Sequence, residues 1–445
     1  MAKQLFGTDG IRGVAGEYPL DAATIHAFGL ALGMDLRHSA KDAAIVIGMD
    51  TRESGPWIAA QVAAGLASQG VRTVSAGIIT TPGIAWLTAT DSFTAGVMIS
   101  ASHNPYQDNG IKVFGHSGYK LPDEEEHAVE QEIFRHSGEA PGAPVPLEPD
   151  AALAARYLDH LAATVSGSFE GVRVVLDCGN GAAFQIAPEL FRRLGAEVTA
   201  ICREPNGRNI NLNCGALYID NLRTAVLESG ADLGAAFDGD ADRAIFVGRS
   251  GRIVDGDAVL LIAARALKAA GQLDGDLVVA TFMSNLGLER ALAREGIQLV
   301  RTPVGDKYVL EEMVRTGAAL GGEQSGHVIF RRYATTGDGL LTALRIVEIS
   351  RDTGASLDKL TAGLDIYPQR LQNVRVRERR ELHELAAVAR EIEACQNAFG
   401  ASGRVLVRFS GTEPLARVMV EGPDLARVDE FTSRIAAAIR EEIGA

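Results

Sequence analysis

Apolar runs of strand length alternate with longer stretches of helical periodicity along most of the chain. One unit occurs three times: an apolar run, a polar turn, a helical stretch, and a glycine that opens a second apolar run. This order is typical of a βαβ unit. The three units begin at AIVIGMD (44–50), VRVVLD (172–177) and DLVVAT (276–281). The pattern therefore predicts three related α/β domains with mixed sheets.

In each unit a further apolar run leads into a polar loop of unusual composition. These loops are ASHNP (101–105), DGDADR (238–243) and EQSGH (323–327). Ligands of open α/β sheets bind beyond the carboxyl ends of the strands. We therefore expect the three loops to face one central cleft.

Breaks in the pattern suggest where the domains end. The segment PGAPVPLEP (141–149) has four prolines and is typical of an extended connector, and the βαβ pattern stops near Pro368. Two strand-like runs around a turn and a terminal amphipathic helix follow, which predict a smaller C-terminal α+β domain. A third boundary, less clearly marked in the sequence, is expected near 255. The predicted domains are therefore 1–149, 150–254, 255–367 and 368–445.

Composition and charge narrow the classes of protein. Of 445 residues, 47% are hydrophobic and 22% charged, the balance of an ordinary globular protein. The net charge of -14, without a Lys/Arg-rich run, argues against nucleic acid as a partner. No apolar stretch predicts a membrane span or a signal peptide, so we expect a cytoplasmic protein with no membrane partner. The four cysteines lack CxxC spacing, which favours free thiols over a zinc site or disulfides.

The loop DGDADR carries Asp238, Asp240 and Asp242 at alternate positions around a glycine. A curved backbone can turn three such carboxylates onto one divalent cation, and without a cation they would repel each other. An EF-hand is excluded because Arg243 and Arg249 stand where that loop needs glycine and glutamate. A solvated acidic turn is the alternative.

The loop ISASHNP places Ser102 at a strand end among small residues, where backbone N–H groups can receive a phosphate. An acyl hydrolase is disfavoured because GxSxG is absent and the adjacent His103 should point away from the Ser102 hydroxyl in an extended segment. Lys112 follows a glycine-containing turn and could return its ammonium to this serine, or could be solvated.

Two further loops carry groups suited to a sugar phosphate. GGEQSGH offers Glu323, Ser325 and His327 to sugar hydroxyls. RFSGTEP predicts an anion-binding turn, unless it is a hairpin without a ligand. Its candidate residues are Arg408, Ser410, Gly411, Thr412 and Arg417, and Arg12 lies in a similar glycine-rich setting, FGTDGIRG.

Taken together, FGTDGIRG, ISASHNP, DGDADR, GEQSGH and RFSGTEP resemble, in order and spacing, the motifs of the α-D-phosphohexomutase superfamily, over essentially the whole chain. The resemblance implies four domains and a phosphoserine at Ser102. It also implies one Mg²⁺ bound by Ser102, Asp238, Asp240 and Asp242.

The same resemblance implies roles for the other polar residues. Arg12, His103, Lys112 and His327 are expected around the transferred phosphate, with Lys112 as candidate general base. The expected substrate-binding residues are Arg243, Lys307, Glu323, Ser325, Arg408, Ser410, Gly411, Thr412 and Arg417. Phe409 and Lys307 depart from the usual residues at their positions without removing a required group.

Within the superfamily, Gln324, MSNLG (283–287) and RVMVEG (417–422) resemble the bacterial phosphoglucosamine mutases. That subfamily interconverts glucosamine 6-phosphate and glucosamine 1-phosphate through a 1,6-bisphosphate, for UDP-N-acetylglucosamine and cell-wall synthesis. A phosphomannomutase or phosphoglucomutase remains the alternative enzyme, and a non-catalytic sugar-phosphate sensor the alternative from another class. The resemblance also allows a homodimer, and phosphorylation of Ser102 by an activating kinase or by the protein itself.

Overall fold

A computed structural model describes residues 4–7, 9–39, 43–410 and 414–445, without the side chains of 37–39. The chain forms two compact units. The first comprises Met1–Met283 and Ile297–Ala362, and the second comprises Ser284–Gly296 and Gly363–Ala445.

The first unit begins with a six-stranded mixed sheet. Its strands are β1 (Phe6–Gly7), β2 (Gly10–Val14), β3 (Ala44–Met49), β4 (Arg72–Ile78), β5 (Ala95–Ile99) and β6 (Asp108–Gly115), in the order β1-β2-β6-β5-β3-β4. Its helices are α1 (Ala22–Ser39), α2 (Gly55–Ser68), α3 (Thr81–Thr90) and α4 (Asp123–His136). Every residue of β3 and β5 is buried, which explains why these strands are continuous apolar runs in the sequence.

A second sheet follows, with five strands. These are β7 (Arg173–Asp177), β8 (Glu197–Ile201), β9 (Leu233–Phe237), β10 (Ala244–Gly248) and β11 (Ile253–Val254), in the order β11-β10-β9-β7-β8. The helices are α5 (Ala151–Ala163), α6 (Ala183–Arg193) and α7 (Asp220–Ser229), with a 3₁₀ turn at Gly215–Leu217. Because β9 and β10 are antiparallel neighbours, the acidic loop is the tip of a buried hairpin.

The third sheet has four strands, β12 (Leu277–Thr281), β13 (Gln298–Thr302), β14 (Leu320–Gly322) and β15 (Val328–Phe330), in the order β13-β12-β14-β15. Its helices are α8 (Gly256–Ala269), α10 (Asp306–Thr316), α11 (Gly339–Thr353) and α12 (Leu357–Leu360), with a 3₁₀ turn at Asp274–Asp276. The helix between β12 and β13, α9 (Leu286–Arg294), belongs to the second unit.

The second unit contains an antiparallel sheet of β16 (Gln369–Arg375), β18 (Leu415–Glu421) and β17 (Arg404–Phe409), in that order. Helices α13 (Ala386–Phe399) and α14 (Leu425–Ile443) and 3₁₀ turns at Leu382–Glu384 and Gly400–Ser402 complete its C-terminal part. Buried Val418, Val420, Phe431 and Ile435 form part of its core.

The predicted fold class is confirmed: mixed α/β sheets precede a small C-terminal domain of three antiparallel strands and helices. The four domain boundaries stay a prediction. None of the described helices has the length and apolar character needed to cross a membrane.

Candidate active site

Within the first unit, the three polar loops lie together. The backbone N–H of Ala244 donates to the carbonyl of Gly326, 3.1 Å away, which joins the ends of the acidic and EQSGH loops. The hydroxyl of Ser102 donates to Asp238 Oδ2 over 2.6 Å, which joins the ASHNP loop to the acidic loop. The expected convergence of the three loops is therefore present in the structure.

Ser102 follows β5 and is 1% exposed. Its φ of 51° is left-handed, a conformation uncommon for a residue with a β-carbon. The turn brings the Ser102 hydroxyl to 3.2 Å from His103 Nδ1, so the expectation that these two side chains point apart was wrong. That expectation assumed an extended backbone, in which successive side chains alternate.

The three aspartates of the acidic loop are buried, and each offers a carboxylate oxygen within 4.8 Å of the others. Ala241, also at positive φ, provides the curvature that turns them to one side. Among the described residues, no group donates a hydrogen bond to Asp240 Oδ1 or Asp242 Oδ1. Three clustered carboxylates, two of which have a buried oxygen without a donor, fit a hard divalent cation.

The pKa shifts of the three aspartates also suit a cation site. Burial first, and then the neighbouring carboxylates, raise the pKa of Asp238 and Asp242. Burial alone would also raise the pKa of Asp240, but Lys112 and Thr81 lower it to about 2. The arrangement therefore concentrates negative charge that a bound cation would neutralise.

Lys112 lies beside this loop with its Nζ 2.9 Å from Asp240 Oδ2, 3.0 Å from Asp9 Oδ2 and 3.7 Å from Asp242 Oδ2. Burial alone would lower the pKa of Lys112, but the three carboxylates raise it well above its ordinary value. This arrangement therefore favours the ammonium form of Lys112.

Asp9 extends the charged group toward the EQSGH loop. It pairs with Arg12 and Lys120, and Lys120 pairs in turn with Asp306. Asp306 Oδ2 lies 3.8 Å from Nε2 of the buried His327. A cavity of about 450 Å³ is lined by Lys120, Asp306, Lys307 and His327, among others.

The remaining predicted residues of the first unit differ in their surroundings. Arg243 Nη1 lies 3.3 Å from His103 Nδ1. Burial, and then the charges of Arg243 and Arg12, lower the pKa of His103 to about 4. Glu323 accepts from the Gly305 N–H and the Ser325 hydroxyl, each over 3.2 Å.

Lys307 is turned toward helix α4, where its ammonium pairs with Asp123. The structure therefore brings Lys307 to the cavity wall, but the carboxylate that it contacts belongs to none of the three loops.

In the second unit, Arg408 on β17 and Arg417 on β18 are directly paired across the sheet. Arg417 Nη2 donates to the hydroxyl of Ser410 over 3.4 Å. Burial, and then the charge of Arg417, lower the pKa of Arg408. Two adjacent guanidiniums suit an anion. The predicted residues Gly411 and Thr412 lie outside the described residues.

A buried arginine outside the sequence motifs holds the Ser102 loop. Arg52 is 1% exposed, and its Nη2 donates to the carbonyls of Ser102 (2.9 Å) and Asn104 (2.8 Å). Its Nε donates to Asp50 Oδ2 over 2.9 Å, and its Nη1 donates to the carbonyls of Asp108 (3.0 Å) and Pro105. A charged DTR sequence directly after a buried strand was the available signal.

Asn211, in the segment that follows β8, supports the same loop. Its amide donates to the carbonyls of Ser102, 2.9 Å away, and Asn104, 3.2 Å away. Asp9, Thr81 and Lys120 were missed as well. Asp9 lies in the FGTDGIRG motif, where only Arg12 was singled out, whereas Thr81 and Lys120 come from segments without a distinctive motif.

Comparisons with known proteins give a consistent result. Family models of phosphoglucomutase/phosphomannomutase match the chain four times: alpha/beta/alpha domain I at 3–139, domain II at 155–251, domain III at 255–367 and the C-terminal domain at 371–438. The phosphoglucosamine mutase of Solibacter usitatus is 66% identical over 446 residues, covering 100% of both chains. That of Koribacter versatilis is 53% identical, covering 99% of this chain and 98% of the relative.

Solved structures share the fold at lower identity. A phosphoglucomutase/phosphomannomutase family protein from Burkholderia thailandensis is 23% identical with a TM-score of 0.80, covering 99% of each chain. Aspergillus fumigatus N-acetylphosphoglucosamine mutase, in complex with GlcNAc-6P and magnesium, is 20% identical with a TM-score of 0.68, covering 98% of this chain and 96% of the other. The chain belongs to the phosphoglucomutase/phosphomannomutase family, within the α-D-phosphohexomutase superfamily that its motifs predict.

Proposed function

We propose that this protein is an isomerase that interconverts glucosamine 6-phosphate and glucosamine 1-phosphate. Full-length similarity to phosphoglucosamine mutases, at 66% and 53% identity, supports the choice of substrate. The observation that carries the chemistry is the buried hydroxyl of Ser102, 2.6 Å from a carboxylate of the acidic loop. A serine in that setting can carry a phosphoryl group next to a cation site.

In the proposed reaction, Ser102 starts as a phosphoserine. Its Oγ–P bond breaks as a sugar hydroxyl forms a new O–P bond and loses its proton, which gives glucosamine 1,6-bisphosphate. The bisphosphate then returns its other phosphoryl group to Ser102. Phosphoryl transfer depends mainly on positioning and charge neutralisation.

Lys112 would neutralise charge during the transfer, and the resemblance also makes it the candidate general base. Its three carboxylate neighbours hold it as an ammonium. His103 is a second candidate to accept the proton of the sugar hydroxyl, because its pKa of about 4 leaves the imidazole neutral near pH 7. Negative charge on a phosphorylated Ser102, 3.2 Å away, would raise that pKa toward the working range.

Asp238, Asp240, Asp242 and the phosphoserine would hold one Mg²⁺. The two buried oxygens without donors support this assignment. When bound, Mg²⁺ supplies positive charge to the phosphoryl group in transit.

Arg12, Arg243 and His327 complete the proposed transfer site, and Lys307, Glu323 and Ser325 would contact the sugar. Arg408, Ser410, Gly411, Thr412 and Arg417 would bind the phosphate that is not being transferred, which the cross-strand pairing of two arginines supports. We also propose the domains 1–149, 150–254, 255–367 and 368–445, and a cytoplasmic location. A homodimer and an activating kinase or autophosphorylation at Ser102 are part of the same proposal.

The test begins with the intact mass of the purified protein before and after phosphatase treatment. A coupled assay then compares glucosamine, mannose and glucose 6-phosphates. We expect one phosphoryl group on Ser102 and the highest kcat/KM on the amino sugar. Ser102→Ala should lose the phosphoryl group and the turnover, whereas the exposed control Ser229→Ala should keep both. Faster turnover of mannose or glucose 6-phosphate would show that the substrate is that sugar phosphate and not the amino sugar. No turnover after priming with a hexose bisphosphate would favour a non-catalytic sugar-phosphate sensor.

A further inference from the structure

A second group of metal-ligating side chains lies at the end of the second sheet, apart from the acidic loop. Asp177 ends β7, Cys202 follows β8, and Cys214 precedes the 3₁₀ turn at Gly215–Leu217. Since β7 and β8 are parallel neighbours with Asp177 opposite Ile201, Asp177 and Cys202 leave the sheet side by side. A carboxylate oxygen and the two sulfur atoms all lie within 4.8 Å of one another.

We propose that Asp177, Cys202 and Cys214 bind a thiophilic divalent cation of the Zn²⁺ class. Tetrahedral zinc with metal–sulfur bonds of about 2.3 Å and metal–oxygen bonds of about 2.0 Å separates its ligands by about 3.5–3.8 Å. Ligand atoms within 4.8 Å can reach this geometry by small rotations of the side chains. Binding releases the two thiol protons to solvent, because the thiolates are the ligands.

The surrounding donors fit such a site. The N–H groups of Gly179 and Gly215 donate to the two oxygens of Asp177 over 2.9 and 3.0 Å, and each oxygen keeps a second lone pair. The amide of Asn180 lies 3.7 Å from the sulfur of Cys214. Donors of this kind orient the ligands around a metal.

Of the three proposed ligands, only Cys202 is partly exposed to solvent. Asp177 and Cys214 are buried, whereas Cys202 is half-buried. Cys202 is therefore the ligand through which a cation from solvent would reach the cluster, and the proposed fourth ligand is a water.

The cluster also has a structural link to the Ser102 loop. The segment between Cys202 and Cys214 carries Asn211, whose amide holds the carbonyls of Ser102 and Asn104. A cation bound to both cysteines would fix both ends of that segment. The inference does not depend on the proposed substrate, because metal binding is measured without turnover.

The test uses the full-length protein, kept reduced, with excess Mg²⁺ to occupy the carboxylate loop. Cd²⁺ is titrated in, and the ultraviolet absorption of thiolate-to-Cd²⁺ charge transfer is recorded. We expect saturation at one equivalent and loss of the signal when Zn²⁺ is added. Carboxylates give no such absorption, so the acidic loop does not contribute.

Cys202→Ser is the deciding variant because this side chain is half-buried and its replacement leaves the core intact. It and Cys214→Ser should lose the saturable signal. Cys178→Ser and Cys395→Ser, matched buried thiols, should retain it. An unchanged titration in Cys202→Ser, with its fold confirmed by circular dichroism, would overturn the proposal. So would a wild-type protein without the absorption, which would leave the cluster as hydrogen-bonded thiols.

Discussion

The hydrogen bonds of Arg52 to the Ser102 loop can be weakened by a single substitution that keeps the charge. Arg52→Lys keeps a positive charge next to Asp50 but replaces five donors in a planar fork with three on a flexible stem. The ammonium cannot reach Asp50 and all four of the carbonyl oxygens that Arg52 contacts. We therefore expect the Ser102 loop to lose its fixed position, while the buried charge pair survives.

These contacts determine how far the catalytic rate should fall. A displacement of about 1 Å at a reacting group can cost about 100-fold in rate. We expect kcat to fall by about 10–100-fold in Arg52→Lys with little change in KM, because Arg52 contacts the loop and none of the proposed substrate-binding residues. Arg52→Met, which breaks the buried pair, should lower the free energy of unfolding by about 3–5 kcal/mol. Burial already raises the pKa of Asp50, so its protonation in that variant would limit the loss.

The assay measures kcat and KM for glucosamine 6-phosphate, with the phosphoserine content of each preparation determined by intact mass. Arg156→Lys is the matched control. Arg156 is half-exposed and pairs with the more buried Asp91 at the protein surface, where ion pairs contribute under about 1 kcal/mol. An Arg52→Lys enzyme with the wild-type kcat at equal phosphorylation would refute the positioning role. A change in KM alone would assign Arg52 to substrate binding instead.

Three further predictions concern charge. Burial raises the pKa of Asp338 to about 6 from an ordinary 3.8. Its protonated form therefore contributes to the free energy of unfolding below pH 3.8, and this contribution is lost as the pH rises through 6. Asp338→Asn should remove about 3 kcal/mol of that pH dependence in denaturant titrations between pH 4 and 7, and parallel curves for the two proteins would contradict this. Asp240→Asn should raise the Mg²⁺ concentration for half-maximal activity by at least about tenfold, and an unchanged Mg²⁺ dependence would exclude Asp240 as a ligand. Arg417→Gln removes a charged donor worth about 1.5–3 kcal/mol, so KM should rise by about 10–100-fold with kcat retained, and a normal KM would remove Arg417 from the substrate site.

The sequence predicted the elements and loops whose information is local. The runs at 44–50, 172–177 and 276–281 became β3, β7 and β12 because buried strands need continuous apolar residues. The acidic loop was found because its three carboxylates are adjacent in sequence. His103 was placed wrongly because the left-handed backbone of Ser102 leaves no local sequence signal.

Features assembled from distant segments could not be predicted in this way. Arg52, after β3, and Asn211, after β8, both donate to the carbonyl of Ser102, and neither local sequence indicates this shared partner. Periodicity also predicts α9 as a helix without saying what it packs against. Its assignment to the second unit follows from tertiary contacts such as the Leu286 N–H donating to Glu421 over 2.8 Å.

The left-handed backbone at Ser102 has a consequence for how this protein can change under selection. A residue with a β-carbon costs about 1–2 kcal/mol in that conformation, and glycine escapes most of this cost. A library screened only for thermal stability would therefore tolerate glycine at position 102, although glycine has no hydroxyl to carry a phosphoryl group. Only a screen that also demands turnover would keep the serine, so this position separates selection for folding from selection for chemistry.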